Sequence, residues 1–225
     1  MKTVYAVCST VRTGSSLLCE YLMNTGIAGY PVDFTNKFRL QAFIPEAKPV
    51  VRVDYSQLLE LIAEYSTDNG VFGIKLPHLP MQALPILKNM QKLEGVKLYY
   101  IRMTREDKLK RAISAAKSNS TGIYYSFQST VAKPVPAYSR KYIESAMKKL
   151  EFNDKLWDDF FAVNELDSFK ITYEELSDDP STVIDNVLEF LDIPNPKGFK
   201  LPSTRLQKLA DETSKNWEEL YKKGL

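Results

Sequence analysis

The chain is short of reactive and cross-linking side chains. It holds one histidine, His78, and two cysteines, Cys8 and Cys19, in 225 residues. Two cysteines exclude a disulfide scaffold and suit a reducing compartment. The His, Cys, Asp and Glu residues show no metal-ligand spacing, so no metal is expected. A net charge of +2 is too small to suggest a nucleic-acid partner. No uninterrupted apolar run approaches the ~20 residues that span a bilayer. Met1-Lys2 leads into a strand-like segment rather than a secretory leader, so a cytoplasmic protein is expected. No internal repeat or low-complexity tract is apparent. What remains is 44% hydrophobic and 26% charged, ordinary for a globular protein. The length suits one domain over 1–225 with a full core.

The stretch around which the chain is organised is residues 3–26. Thr3-Val4-Tyr5-Ala6-Val7-Cys8 is an apolar run of strand length, and Leu18, Tyr21 and Leu22 share one face of a helix. Between them lies a turn rich in hydroxyls, Ser9-Thr10-Val11-Arg12-Thr13-Gly14-Ser15-Ser16. A strand, a tight turn and a helix N-terminus make an anion cradle of backbone N–H groups. Arg12 adds a fixed cation suited to phosphate or sulfate oxygens. The bland alternative is an ordinary turn capped by Thr13 or Ser15.

The cradle also lacks something. A P-loop NTPase reads G-x-x-x-x-G-K-[ST]. With Gly14 as the second glycine, Ser15 stands in place of the lysine and Ser9 in place of the first glycine. A triphosphate is therefore a poor match, and a shorter 5′-anion a better one.

Cys8-Ser-Thr-Val-Arg12-Thr-Gly14-Ser-Ser-Leu-Leu resembles the opening of the bacterial trehalose 2-sulfotransferase-like family. The likeness continues in Thr25–Phe34, Phe72–Leu76, Thr104–Lys108, Ile171–Leu176, and Ala210-Asp211 followed by Trp217. The resemblance implies transfer of a sulfuryl group from 3′-phosphoadenosine 5′-phosphosulfate (PAPS) to a hydroxyl of a carbohydrate or glycolipid-type acceptor, without a metal. It also implies binding of the desulfated nucleotide and allows a homodimer. Together with the alternation of strands and helices it implies an α/β fold. That fold is a P-loop NTPase-like three-layer sandwich, with a central, mainly parallel sheet flanked by helices.

Arg12, Thr13, Gly14, Ser15 and Ser16 are the expected 5′ cradle. Asp33, between Val32 and Phe34, corresponds to a glutamate that is the family's proposed general base; a turn or helix cap is its other reading. Residues 35–50 look irregular, and Asp54 caps a helix with Leu58, Leu59, Ile62 and Tyr65 inward. Val71–Leu76 forms a buried parallel strand with Lys75 near its C-terminal edge, where ligands sit in open α/β sheets. Lys75 is a candidate for the transferring group, or a strand-end lysine reaching solvent. His78 sits in a segment similar to the base-bearing motif of eukaryotic cytosolic sulfotransferases, but one residue longer. It is a second candidate base or a loop residue.

A helix over 81–93 precedes the strand Val96–Ile101, which leads into Arg102-Met103-Thr104-Arg105 instead of a metal-binding Asp. In the family an Arg here and a Ser nine residues on hold the 3′-phosphate, and Arg105 and Ser114 match. An ion pair of Arg105 with Glu106 or Asp107 is the alternative. A helix over 106–118 would carry Ser114. Residues 119–138, with Tyr124, Tyr125 and Phe127, suggest an acceptor loop or a disordered insertion. Ser139 starts a helix to about residue 164, whose Arg140, Lys141, Lys148 and Lys149 form a solvated face. A last strand over 169–173, a helix after Pro180-Ser181, a connector with Pro194 and Pro196, and a helix over 203–222 complete the chain. On that final helix Arg205 and Lys208 would close over the 3′-phosphate or face solvent, with Lys208 matching a basic residue of the family. A small-molecule kinase and a non-catalytic nucleotide-binding module are the competing functions. A Cys8 phosphatase fails because Gly14 stands where its arginine belongs.

Overall fold

Four apolar runs become strands: β1 (Lys2–Ser9), β2 (Val71–Lys75), β3 (Val96–Thr104) and β4 (Phe169–Thr172). A computed structural model describes residues 2–128, 131, 133–195 and 200–225. The strands pair in parallel in the order β2-β1-β3-β4. Ala6 of β1 faces Ile74 on one side and Tyr100 on the other. Helices α1 (Ser15–Asn24), α2 (Lys37–Phe43), α3 (Tyr55–Tyr65), α4 (Pro80–Met90), α5 (Lys108–Thr121), α6 (Arg140–Val163), α7 (Tyr173–Asp178), α8 (Pro180–Phe190) and α9 (Glu212–Lys222) fill the connections.

A parallel sheet needs cover on both faces, and strand side chains alternate between them. Val4, Ala6 and Cys8 join Phe72 and Ile74 under α3, α4 and the Trp157–Phe161 end of α6. Tyr5 and Val7 join Ile101, Met103 and Ile171 against α1, α7 and α8. These are the two outer layers of the sandwich. A third cluster joins Ala112 and Ala116 of α5, Ile143 and Leu150 of α6, and Trp217 of α9. From β1 the chain crosses first to β2 and then to β3 on the opposite side. That reversal opens a crevice beyond the C-terminal end of β1, where open α/β sheets bind ligands.

Local chemistry sets the ends of the helices. Asp54, Asp107, Ser139 and Asp179 each accept a hydrogen bond from a first-turn N–H of α3, α5, α6 and α8. Thr172 and Glu175 form a capping box that starts α7, so Tyr173 leaves the strand.

Several expectations need correction. Residues 35–50 contain α2, seven residues capped by the Asn36 side chain. Leu61 replaces Leu59 on the buried side of α3, because Leu59 falls on the solvent face. Residues 203–211 are not helical; α9 begins only at Glu212, where Asp211 and Ser214 form its capping box. Pro196, and residues 129, 130 and 132 of the aromatic segment, lie outside the described residues. Among the described residues no helix is long and apolar enough to cross a membrane.

Candidate active site

The head of α1 is uncapped. Its N-cap is Gly14, at φ 82°, and among the described residues no side chain bonds the first-turn N–H groups. Thr13 turns inward to donate to the Thr10 carbonyl at 3.1 Å, so neither Thr13 nor Ser15 is a cap. A Cβ on Gly14 would lie 2.5 Å from Cδ2 of Tyr173, which is why glycine is needed there. Arg12 also has a positive φ, 61°, in the left-handed region that costs a side-chain-bearing residue about 1–2 kcal/mol. Such strain persists only where surrounding contacts hold it. Here Arg12 Nε donates to Ser114 Oγ at 2.9 Å and a terminal nitrogen to the Tyr124 carbonyl at 3.0 Å.

The loop is braced from behind. Arg111, 2% exposed, donates through Nε to the Val11 carbonyl at 3.1 Å and also bonds Thr10 and Asp154. Arg102, 1% exposed at the end of β3, reaches Asp154 and Asp158. These two buried arginines are answered by α6 carboxylates and hold the cradle on α5 and α6. Sequence reasoning missed their bracing role; the signal available, for Arg102 alone, was a charge inside the apolar run of β3.

A cleft of about 1630 Å³ lies in front of the cradle. Arg12, Gly14, Ser15, Ser16, Lys75, His78, Arg105, Ser114 and Lys208 line it. Lys75, at the end of β2, donates to Ser16 Oγ at 2.9 Å. Burial lowers its pKa, as expected for an ammonium withdrawn from water. Arg105 lies 4.4 Å above the Tyr173 ring and 3.9 Å from the Glu174 carboxylate. The ion pair with Glu106 or Asp107, the alternative reading of Arg105, is replaced by this one with Glu174. Buried Nε of Arg105 has no hydrogen-bond partner among the described residues. Burial, and then Arg105 nearby, lower the pKa of Arg12. Two arginines that repel one another within one cleft suit an anionic ligand.

Asp33, Thr13 and Arg205 are the three expected site residues that do not line the cleft. Asp33 is 3% exposed, and its carboxylate accepts from Thr35 N (3.2 Å), Thr35 Oγ1 (2.7 Å) and Arg39 (2.8 Å). It is tied to the Lys75 strand through the bridge between Val32 and Ile74. Arg39, absent from the sequence reading, stands between Asp33 and the cleft, which it lines. His78 does reach the cleft. Burial, then Arg39 and Lys75, push its pKa well below 6.5, so the imidazole is neutral near pH 7. Its Nδ1 lies 3.4 Å from the Ser9 carbonyl. A carbonyl only accepts, so this contact favours the tautomer with the proton on Nδ1 and the lone pair on Nε2. Cys8 and Cys19 are free and buried, and burial raises both thiols, Cys19 to about 12.

Beside Arg12, which bonds the Tyr124 carbonyl, stands an aromatic wall. Phe38 stacks on Tyr125 at 5.8 Å, and Tyr125 on Phe127 at 5.6 Å. Lys208 reaches the cleft from residues 203–211, which cross it as an extended strap instead of a helix.

The chain is similar to trehalose 2-sulfotransferase of Mycolicibacterium smegmatis, 25% identical over 98% of this chain and 95% of that one. It is also similar to trehalose 2-sulfotransferase of Mycobacterium tuberculosis, 22% identical over 97% and 94%. Solved structures aligned to it include a sulfotransferase domain from the curacin biosynthetic pathway, 14% identical over 87% of this chain and 75% of that one, TM-score 0.49. Another is a sulfotransferase domain from the Synechococcus PCC 7002 olefin synthase, 13% identical over 96% and 82%, TM-score 0.46. The family model of the Stf0 sulphotransferases matches residues 4–224, and the chain belongs to that family.

Proposed function

We propose that this sulfotransferase uses PAPS as donor and a carbohydrate-type hydroxyl as acceptor. The observation that carries the proposal is the uncapped head of α1 facing a cleft that holds Arg12, Lys75 and the partly unsatisfied Arg105. A nucleotide with an anion at each end of its ribose needs two such cationic centres. The N–H groups of residues 14–16, with Arg12 and Lys75, would hold the 5′-phosphosulfate. Arg105, Ser114 and Lys208 would hold the 3′-phosphate. Bound there, the donor supplies an electrophilic sulfur with a phosphate leaving group.

The chain's own groups position the reactants and stabilise charge. Lys75 places a desolvated ammonium beside the head of α1, where charge grows on the leaving phosphate. Asp33 takes the acceptor proton once Arg39 turns from it into the cleft. The tether of Asp33 to the Lys75 strand and the resemblance to the family's glutamate support this choice. His78, neutral and already at the cleft, is the competing acceptor and needs no rearrangement. Phe38, Tyr124 and Tyr125 offer faces on which a sugar such as trehalose would stack. Calorimetry tests the donor half: adenosine 3′,5′-bisphosphate binds far more tightly than AMP or ATP, without Mg²⁺. Equal binding of ATP, or a Mg²⁺ requirement, would favour a kinase.

A further inference from the structure

Glu20 is a buried carboxylate that the chemistry above leaves unused. It lies on α1, four residues beyond Ser16 of the cradle, and is 2% exposed. Its oxygens face the strap. Oε1 accepts from Arg205 N at 3.2 Å and Arg205 Nε at 3.0 Å, and Oε2 from Leu206 N at 3.1 Å. Burying a charge costs stability unless it is paired and hydrogen-bonded. Among the described residues the strap supplies every hydrogen bond to the Glu20 carboxylate, so Glu20 meets that condition while the strap lies across α1.

The strap continues to the aromatic wall. Ser126 Oγ donates to the Arg205 carbonyl at 3.3 Å and accepts from Gln207 N at 2.8 Å. The Arg205 guanidinium lies 4.6 Å over the Phe127 ring. Phe127 stacks on Tyr125, and Tyr125 on Phe38, which lines the cleft. Two residues beyond Leu206 the strap carries Lys208, facing the donor side. One short segment therefore touches the cradle helix, the donor cleft and the acceptor wall. A second and smaller link is Arg12, which bonds the Tyr124 carbonyl.

We propose that Glu20, Arg205 and Ser126 are positioning residues that couple donor binding to the order of the acceptor wall. The inference rests on the PAPS reading of the cleft. When the nucleotide engages Lys208 it holds the strap against Glu20, and the strap holds residues 123–128 through Ser126. Linkage is reciprocal, so the acceptor then binds more tightly to the donor-loaded enzyme, and the donor to the acceptor-loaded one. Typical couplings between sites are ~5–150-fold.

Amide hydrogen exchange with and without adenosine 3′,5′-bisphosphate tests this without knowledge of the acceptor. Tyr124 N and Gln128 N, bonded to Gln128 Oε1 and the Tyr125 carbonyl, are suitable reporters. In the wild type the nucleotide slows exchange in a 12–18 peptide and, by about fivefold or more, in a 122–128 peptide. Ser126→Ala keeps the slowing at 12–18 and cuts that at 122–128 to less than half; Ser126→Thr restores it. Glu20→Gln, which presents one acceptor oxygen where two are used, gives the same loss as Ser126→Ala. A merely structural bond would raise exchange equally with and without nucleotide. Slowing at 12–18 alone in the wild type, or an unchanged response in Ser126→Ala, overturns the coupling and leaves the nucleotide site standing. No slowing at 12–18 overturns the nucleotide reading and this inference with it.

Discussion

Replacing Asp33 by Asn separates the two candidate bases. The side chains are nearly the same shape, and the Asn carbonyl retains the two contacts from Thr35. Its amide then meets Arg39 donor to donor, where the carboxylate accepts at 2.8 Å. Breaking a buried ion pair costs about 3–5 kcal/mol when the surviving charge stays buried. The Arg39 side chain is 28% exposed and rehydrates by turning into the cleft, so about 1–2 kcal/mol is expected here. The fold survives that loss. Catalysis does not: general-base assistance contributes roughly 10²–10⁴ in rate, about 3–5 kcal/mol of barrier. Steady-state turnover at saturating donor and acceptor therefore falls at least about 10²-fold, with nucleotide affinity within about twofold. His78→Gln loses less than about tenfold. A fully folded Asp33→Asn enzyme within tenfold of wild type refutes the assignment. If His78→Gln then carries the large loss, neutral His78 is the base.

Three further outcomes follow from the same geometry. Arg105→Ala removes a charge-assisted contact worth about 1.5–3 kcal/mol. Calorimetry then shows adenosine 3′,5′-bisphosphate ~10–150-fold weaker and 5′-AMP nearly unchanged, whereas equal weakening of both places Arg105 elsewhere. Gly14→Ala adds a left-handed strain of about 1–2 kcal/mol and a Tyr173 contact of about 1–3 kcal/mol. Denaturant unfolding shows a loss of roughly 2–5 kcal/mol, and less than about 1 kcal/mol contradicts the packing around Gly14. His78 has a folded pKa well below 6.5, so the unfolded chain takes up its proton first as pH falls. Stability from this group is complete above about pH 6.5 and is lost below it, by up to about 1.4 kcal/mol per pH unit. His78→Gln flattens that slope between about pH 6.5 and 5; an unchanged slope contradicts the burial of a neutral imidazole.

Much of the frame was legible because it depends on local signals. Residues 71–74 form a run without a polar side chain, as a strand buried on both faces favours. Asp54 and Ser139 announce their helices by capping chemistry. The cradle was legible from a strand, a hydroxyl-rich turn and a helix face in succession. The strap over 203–211 was not, because its bonds go to Glu20 and Ser126, 185 and 81 residues away from Arg205 and Gln207. A polar, charged segment pinned at long range has the same composition as a solvated helix. Arg39 was missed for a related reason: α2 is too short to show a periodicity, and only folding sets residue 39 against residue 33. The capping box of α7 was readable as Thr172-x-x-Glu175 and marks where the strand stops.

Sulfuryl transfer itself is the most direct test. The enzyme is incubated with PAPS labelled in the sulfonate, without Mg²⁺, and with a panel of free and lipid-linked carbohydrates. The account predicts label on an acceptor hydroxyl and stoichiometric release of adenosine 3′,5′-bisphosphate, both lost in Lys75→Met. Binding of the bisphosphate with no transfer to any hydroxyl compound, or transfer of phosphate from ATP in its place, would contradict it.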